Sequence, residues 1–301
     1  MIHADLALAR RLETLICAEL RTLGTVGRAA LPGAGATWAE VAGGVALWLG
    51  PGSPVNVAVG LGMDGPVSDA DLDRVEEFYF SRGAESIVTL CPLADESLWD
   101  GLGRRGYRVT EFENVLALEL GGGGAEAPRR ASAAEPEPAA AAPPAPAAPP
   151  DSAEPPAPAA PPGVVVRTCT GEERALWGRM VARGFADHAP PGQPQLDVGA
   201  VMAARDDAVL VMAWVGGEPA ATGAMVIDGG VGWLMGDTTL PPYRRRGIQQ
   251  ALLRYRLDLA QEAGCDLAVA ETAPGSGSQR NLERLGFRVV FTHVELVRPP
   301  M

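Results

Sequence analysis

Apolar side chains recur at a helical spacing in the last quarter of the chain. Ile248, Leu252, Tyr255 and Leu259 stand at i, i+4, i+7 and i+11, while Gln249, Arg254, Arg256 and Gln261 fall mostly off that stripe. The pattern predicts an amphipathic helix, with Gly264 placed to end it as a C′ residue. Before it, Val231–Thr239 reads as a strand that runs up to Pro241-Pro242. After it, Asp266–Glu271 reads as a second strand, with Leu267 and Val269 on one face and Ala268 and Ala270 on the other. A loop of small residues (274–278), a short helix to Leu285 and the run Gly286-Phe287-Arg288-Val289-Val290 follow. Upstream, the same reading predicts a strand over 164–167, a helix over 171–183 and a weaker helical segment over 197–205. Strands over 208–215 and 219–227 are joined by a Gly216-Gly217 hairpin turn.

Between the strand and the amphipathic helix lies Arg244-Arg245-Arg246-Gly247. A helix N-terminus leaves its first N–H groups unpaired and carries a partial positive charge. Cationic side chains around it make a seat for an anion such as a pyrophosphate. Gly247 has no Cβ, so a ligand oxygen can approach the backbone there. The same residues also fit a basic surface loop that caps an ordinary helix.

The order strand, Arg/Gly loop, helix, strand, loop, helix, Gly-Phe, strand over roughly residues 164–298 resembles the GNAT (Gcn5-related N-acetyltransferase) superfamily. The family's signature is [Gln/Arg]-x-x-Gly-x-[Gly/Ala]. Arg244 to Gly247 fits it, and Gln249 departs from it by replacing a small residue. The resemblance implies an α/β (α+β) fold with a mixed, mostly antiparallel twisted sheet flanked by helices. It also implies acetyl-CoA as cosubstrate and transfer of its acetyl group to an amine by direct attack in a ternary complex. Backbone groups near Thr239 and Leu240 would hold the pantetheine arm, and the amides of Arg245, Arg246, Gly247, Ile248, Gln249 and Gln250 would hold the pyrophosphate, beside Arg244. Ser278 and Asn281 are the polar groups nearest Leu282, which stands where many relatives carry a tyrosine as general acid. Asp237 and Glu271 near the strand ends, with Asp187 and His188 in the segment 184–194 where the resemblance implies acceptor recognition, are the candidate bases, and Ser278 completes the catalytic candidates. Each also has an ordinary reading as a solvated or ion-paired side chain. A non-catalytic acetyl-CoA sensor or interaction module is the alternative function.

The first part of the chain echoes the last. Arg82-Gly83-Ala84 leads into Ser86-Ile-Val-Thr-Leu90, a helix with Trp99, and then Gly106-Tyr107-Arg108-Val109. This parallels the run from Gly264 through Gly286-Phe287-Arg288-Val289. The intervals from Gly83 to Gly106 and from Gly264 to Gly286 differ by one residue. A tandem pair of GNAT-like domains is expected, at 1–120 and 164–301, joined by the Ala/Pro-rich segment 121–163. Such a segment leaves open whether the halves separate or pack together. In the first half the phosphate loop is replaced by Pro66-Val-Ser68-Asp69-Ala-Asp71-Leu-Asp73. Ser68 or Asp69 there makes a good N-cap and the acidic turn satisfies the helix dipole, so no CoA site is expected.

Charge narrows the partners. Residues 1–120 hold 17 acidic side chains against 9 arginines, residues 121–163 hold 5 against 2, and residues 164–301 hold 15 against 14. A net charge of −12 argues against nucleic acid or an anionic membrane, and the near-neutral last part suits a small anionic ligand. Lysine does not occur. Cys17, Cys91, Cys169 and Cys265 are scattered, as are His3, His188 and His293, so no metal site is expected and reduced cytoplasmic thiols are. No signal pattern or membrane span is legible. The acceptor's identity and the oligomeric state, a homodimer included, stay open.

Overall fold

The computed structural model describes residues 2–121, 161–186 and 189–300. The expectations for residues 122–160 of the linker, and for Asp187 and His188, lie outside these. The first half comprises α1 (Leu6–Ala30), β1 (Thr37–Val41), β2 (Gly44–Trp48), β3 (Ala58–Val59), α2 (Asp69–Phe80), β4 (Ser86–Leu90), α3 (Glu96–Arg104) and β5 (Arg108–Glu119). The second half begins with β6 (Val164–Thr168), α4 (Arg174–Phe185), α5 (Gln193–Ala204), β7 (Ala208–Val215), β8 (Glu218–Asp228) and β9 (Val231–Thr239). It ends with α6 (Ile248–Glu262), β10 (Leu267–Thr272), α7 (Gly277–Glu283) and β11 (Arg288–Arg298).

All strands belong to one sheet, in the order β1-β2-β3-β4-β11-β5-β10-β9-β8-β7-β6. Most neighbours are antiparallel; β3–β4 and β9–β10 are parallel. The halves exchange their last strands. β5 of the first half pairs with β10 of the second, β11 of the second pairs with β4 of the first, and β5 and β11 pair with each other at the centre. Glu113 faces His293 across that central pair. The sequence echo places these two residues in corresponding positions, seven past Gly106 and Gly286, so a local two-fold relation passes between them.

The halves also share a core. Leu12, Leu15, Ile16, Leu20 and Leu23 of α1 are buried at helical spacing and pack in one cluster with Val231, Val269 and Phe291. Burying each such side chain fully contributes about 1.5–3 kcal/mol. Asp5 starts α1, its carboxylate accepting from the Leu8 amide at 2.8 Å. The other face of β10 packs Ala268 and Ala270 against Leu253 and Leu257 of α6 and Leu282 and Phe287. Among the described residues no helix is long and apolar enough to cross a membrane.

Local structure follows the sequence reading closely in the second half. β9 and the start of α6 fall where expected, Gly264 is left-handed at φ 77°, and the Gly216-Gly217 turn has φ of 61° and 86°. The segment expected to be helical over 197–205 starts earlier, at Gln193, with Pro194 in its first turn, where a missing N–H costs nothing. After each Gly-aromatic pair the chain makes one long strand, β5 or β11, with two register shifts inside the central pairing.

Candidate active site

β9 and β10 pair in parallel from Leu267↔Val231 to Ala270↔Leu234 and then part. The cause lies in β9. Between Thr222 and Ala224 the β8–β9 register shifts, with Ala224 opposite Met235 and Thr222 opposite Thr238. Gly236 takes φ 64° there, a conformation that favours glycine, and its carbonyl accepts from Thr222 Oγ1 at 3.1 Å. On the far side β10 keeps pairing β5 as far as Thr272↔Asn114. A gap therefore opens between β9 and β10 at the level of Glu271.

A cleft of about 780 Å³ lies along the β9 side of this gap, and Glu271 is not among its lining residues. Its lining includes Asp237, Thr238 and Thr239 of β9, Tyr243, Arg244, Arg245 and Gly247 of the loop, the first residues of α6, and Phe185 at the end of α4. Ser278 and Asn281 of α7 close it on the other side, with Arg280 and Arg284. Gly247 is the N-cap of α6, at φ 75°, and Arg245 is also left-handed, at φ 61°. An L residue in that region costs about 1–2 kcal/mol. Among the described residues no side chain caps α6. Among the described residues the amides of Gly247, Ile248, Gln249 and Gln250 form no hydrogen bond within the protein. These four residues line the cleft. Unpaired amides of this kind, with arginines from two elements around them, form an anion seat.

The two flanking arginines of the triplet differ. Arg244 lines the cleft and donates from Nε to the Thr239 carbonyl at 3.0 Å, whereas Arg246 turns back, its guanidinium 5.8 Å over the Tyr243 ring. Leu240 is buried, and its amide donates to the Ala220 carbonyl at 3.0 Å, so it offers no free N–H to a ligand. Arg280 and Arg284, one turn apart on α7, were not singled out from sequence, although two arginines at i and i+4 beside a loop of small residues could have flagged them.

Gln249 neither crowds the cleft nor stands alone. Its Nε2 donates to Ser278 Oγ at 3.1 Å and its Oε1 accepts from Asn281 Nδ2 at 2.8 Å, clasping α6 to α7 across the cleft. Arg284 completes the chain by donating to Asn281 Oδ1 at 2.9 Å. Leu282 lies in the core beneath, 2% exposed.

Both carboxylate candidates are partnered. Asp237 receives both arms of Arg256, Nη1 at 2.9 Å on one oxygen and Nη2 on the other. Arg256 is fully buried and also bonds the carbonyls of Leu252, Ala224 and Met235. It lies against Gly223, where a Cβ would come within 2.7 Å of the guanidinium carbon, so the glycine makes room for the pair. Glu271 stands at the gap, its Oε1 3.1 Å from His293 Nδ1, and His293 Nε2 lies 2.6 Å from Glu13 Oε1. Read as isolated in sequence, His293 is thus the centre of a buried cluster, with Glu13, Cys91 and His293 donor atoms within 4.8 Å of one another. Burial opposes its protonation, but hydrogen bonds with Cys91, Glu13 and Glu271 outweigh it and hold the imidazole well above its ordinary pKa.

Residues 180–287 match the model of the acetyltransferase (GNAT) family. Solved structures agree over nearly the whole chain. A GCN5-related N-acetyltransferase from Kribbella flavida is 21% identical, with TM-score 0.58 over 92% of this chain and 95% of that one. A GCN5-related N-acetyltransferase from Sphaerobacter thermophilus is 20% identical, with TM-score 0.53 over 81% and 73%. A tandem GNAT protein from the clavulanic acid biosynthesis pathway is 15% identical, with TM-score 0.54 over 85% and 78%. No curated protein matches the chain. The fold is that of the GNAT superfamily, a mostly antiparallel sheet flanked by helices, and one relative is a tandem GNAT protein.

Proposed function

We propose that the protein is an acetyl-CoA-dependent N-acetyltransferase, with its cosubstrate held by the second half. The observation that carries the reading is the uncapped N-terminus of α6, four unpaired amides on residues that line a cleft with Arg244, Arg245, Arg280 and Arg284. The pyrophosphate would sit on those amides and the thioester in the gap where β9 and β10 part. An amine that has lost its proton attacks the carbonyl carbon directly. The site works by positioning the reactants, by backbone donors at the developing oxyanion, and by a base, since free amines are protonated at neutral pH. Of the three catalytic candidates, Glu271 is best placed for proton transfer, because it stands at the gap, while Asp237 is committed to Arg256. Ser278 and Asn281, which line the cleft beside the start of α6, would contribute to binding the cosubstrate. Thiolate can leave without obligatory protonation, since a thiol pKa is near 8.5.

The first half belongs to the same proposal as a domain without a cofactor seat. One observation favours a second reading, a sensor that binds acetyl-CoA without turnover: both carboxylates near the gap are ion-paired, and the tyrosine position is a core leucine. Release of CoA thiol with a panel of primary amines, beside calorimetry with acetyl-CoA, decides between them. Turnover is expected; tight binding with no turnover on any amine would establish the sensor, and no binding at all would remove both.

A further inference from the structure

The exchange of strands brings titratable groups of both halves to one face of the sheet, beside the gap. Directly paired antiparallel residues project to the same side. Glu113 of β5 faces His293 of β11, Glu111 faces Glu295, and Glu271 of β10 pairs with Val115, two residues from Glu113 on the same side of β5. Glu13 of α1 and Cys91, just past β4, complete the group around His293. Two positions matter most. Glu271 is the first β10 residue beyond the last β9 pairing, and Glu113 is the first β5 residue beyond the last β10 pairing. The second half thus contributes the carboxylate at the gap, and the first half contributes the one beside it. Glu113 is exposed to solvent, on the same side of β5 as Val115, the partner of Glu271. Glu271 is 19% exposed and tied to His293.

We propose that Glu113 and Glu271 form a proton-sharing carboxylate pair, oriented by His293, that takes the proton of the acceptor's ammonium, so that the first half supplies part of the chemistry. The proposal rests on the transferase reading. In the step, an ammonium N–H bond breaks and its proton passes to the pair. The freed lone pair forms the C–N bond to the thioester carbon, the C–S bond breaks, and its electrons leave on sulfur. The thiolate takes up the second proton lost by the amine nitrogen, and the pair returns its own to solvent through Glu113.

A lone, solvated glutamate is a weak base towards an ammonium, and a second carboxylate alongside makes it a stronger one. Although the residue as a whole is exposed, desolvation of its carboxyl by the packed strands pushes Glu113 up to about 7, helped by the charges of Glu271, Glu111 and Glu295 and opposed by His293. The electrostatic neighbours of the pair come from every element packed against it: Glu13 from α1, Cys91 after β4, Glu111 from β5, and His293 and Glu295 from β11. One imidazole faces several carboxylates, so a proton held among them lowers the repulsion.

The test is Glu113→Gln in the full-length chain, assayed with acetyl-CoA and three probe amines: 1,4-diaminobutane, glucosamine and glycylglycine. The expected result is a fall in kcat of about a hundredfold at pH 7 with acetyl-CoA affinity unchanged. The wild-type kcat should rise with pH through an inflection near 7, the variant should lose that inflection, and Glu113→Asp should recover part of the rate. A variant with the wild-type kcat and inflection overturns the proposal. So does a loss of rate with the inflection unmoved, since that marks a structural role only. Should Glu113→Gln fail to fold, infrared titration of the wild type decides instead, and the absence of a carboxyl titrating near neutrality overturns the pair. A wild type without turnover overturns this and the transferase reading together, whereas turnover that ignores Glu113 overturns this alone.

Discussion

α2 and α6 occupy corresponding places in the two halves, each following the first strand of a parallel pair, and their N-termini end up opposite in character. At α2, Ser68 Oγ accepts from the Asp71 amide at 3.2 Å while Asp71 Oδ2 accepts from the Ser68 amide at 2.9 Å, a closed capping box. At α6, Gly247 has no side chain to offer, and the first amides are left to whatever enters the cleft. Charge reinforces the difference: Asp69, Asp71 and Asp73 crowd the first helix start, and Arg244, Arg245 and Arg246 lead into the second. The two helices are also anchored with inverted polarity. α6 holds the sheet through buried Arg256 on Asp237, and α2 through Glu76 on Arg298 of β11, from the other half, with Arg105 at the end of α3 on the same carboxylate. The same backbone position becomes a ligand site or a sealed end according to a handful of residues.

Four variants test that contrast. The largest effect is expected from Gly247→Glu, which puts a carboxylate where the phosphates would sit and a Cβ at φ 75°, 3.2 Å from Pro161 Cγ. Calorimetry should detect no acetyl-CoA binding while far-UV circular dichroism is unchanged; retained affinity would mean the seat is elsewhere. Next comes Asp237→Ala, which strands a buried guanidinium and should lower unfolding free energy by about 3–5 kcal/mol. Urea denaturation measures it, and a loss below about 1 kcal/mol would show that the carbonyls around Arg256 suffice. Opening the sealed helix with Ser68→Ala and Asp71→Ala together should cost about 1 kcal/mol and still yield no second acetyl-CoA site. Hydrogen bonds from Ser68 hold the Asp71 carboxyl below its ordinary value. Its contribution is therefore present above the aspartate range, near pH 3.9, and fades as pH drops through the folded value, so the double variant should match wild type most closely in acid. The smallest effect is that of Gln249→Ala, which releases the clasp to Ser278 and Asn281. A rise of about twofold to tenfold in KM for acetyl-CoA with kcat unchanged is expected, in line with loss of about 0.5–1.5 kcal/mol of hydrogen bonding.

Much of this contrast was legible before any coordinates. The sealed and open helix starts differ in local residue types, and local rules of capping and periodicity read them directly. The limits of β9 and the start of α6 follow from the Pro241-Pro242 pair and the Ile248-Leu252-Tyr255 stripe. Gln249 was visible as a departure, but its contacts with Ser278 and Asn281 span about thirty residues and depend on how α7 docks. The strand exchange was illegible for a different reason. β5 and β11 alternate in the same way whether they pair within their own half or across it, so side-chain pattern cannot choose the partner. The His293 cluster depends on that choice, since Glu13, Cys91, Glu113 and Glu271 are distant along the chain and meet only once the strands have crossed over.

Crossed strands also decide what it would mean to separate the two halves. A protease that nicked the Ala/Pro-rich connection would leave both pieces in place, because each grips the other through main-chain ladders on either side of the central β5–β11 pair. Pulled apart, the C-terminal piece would bare one edge of β10 and the N-terminal piece one edge of β4, the kind of raw sheet margin that recruits other chains and precipitates. Each half is the other's missing sheet margin.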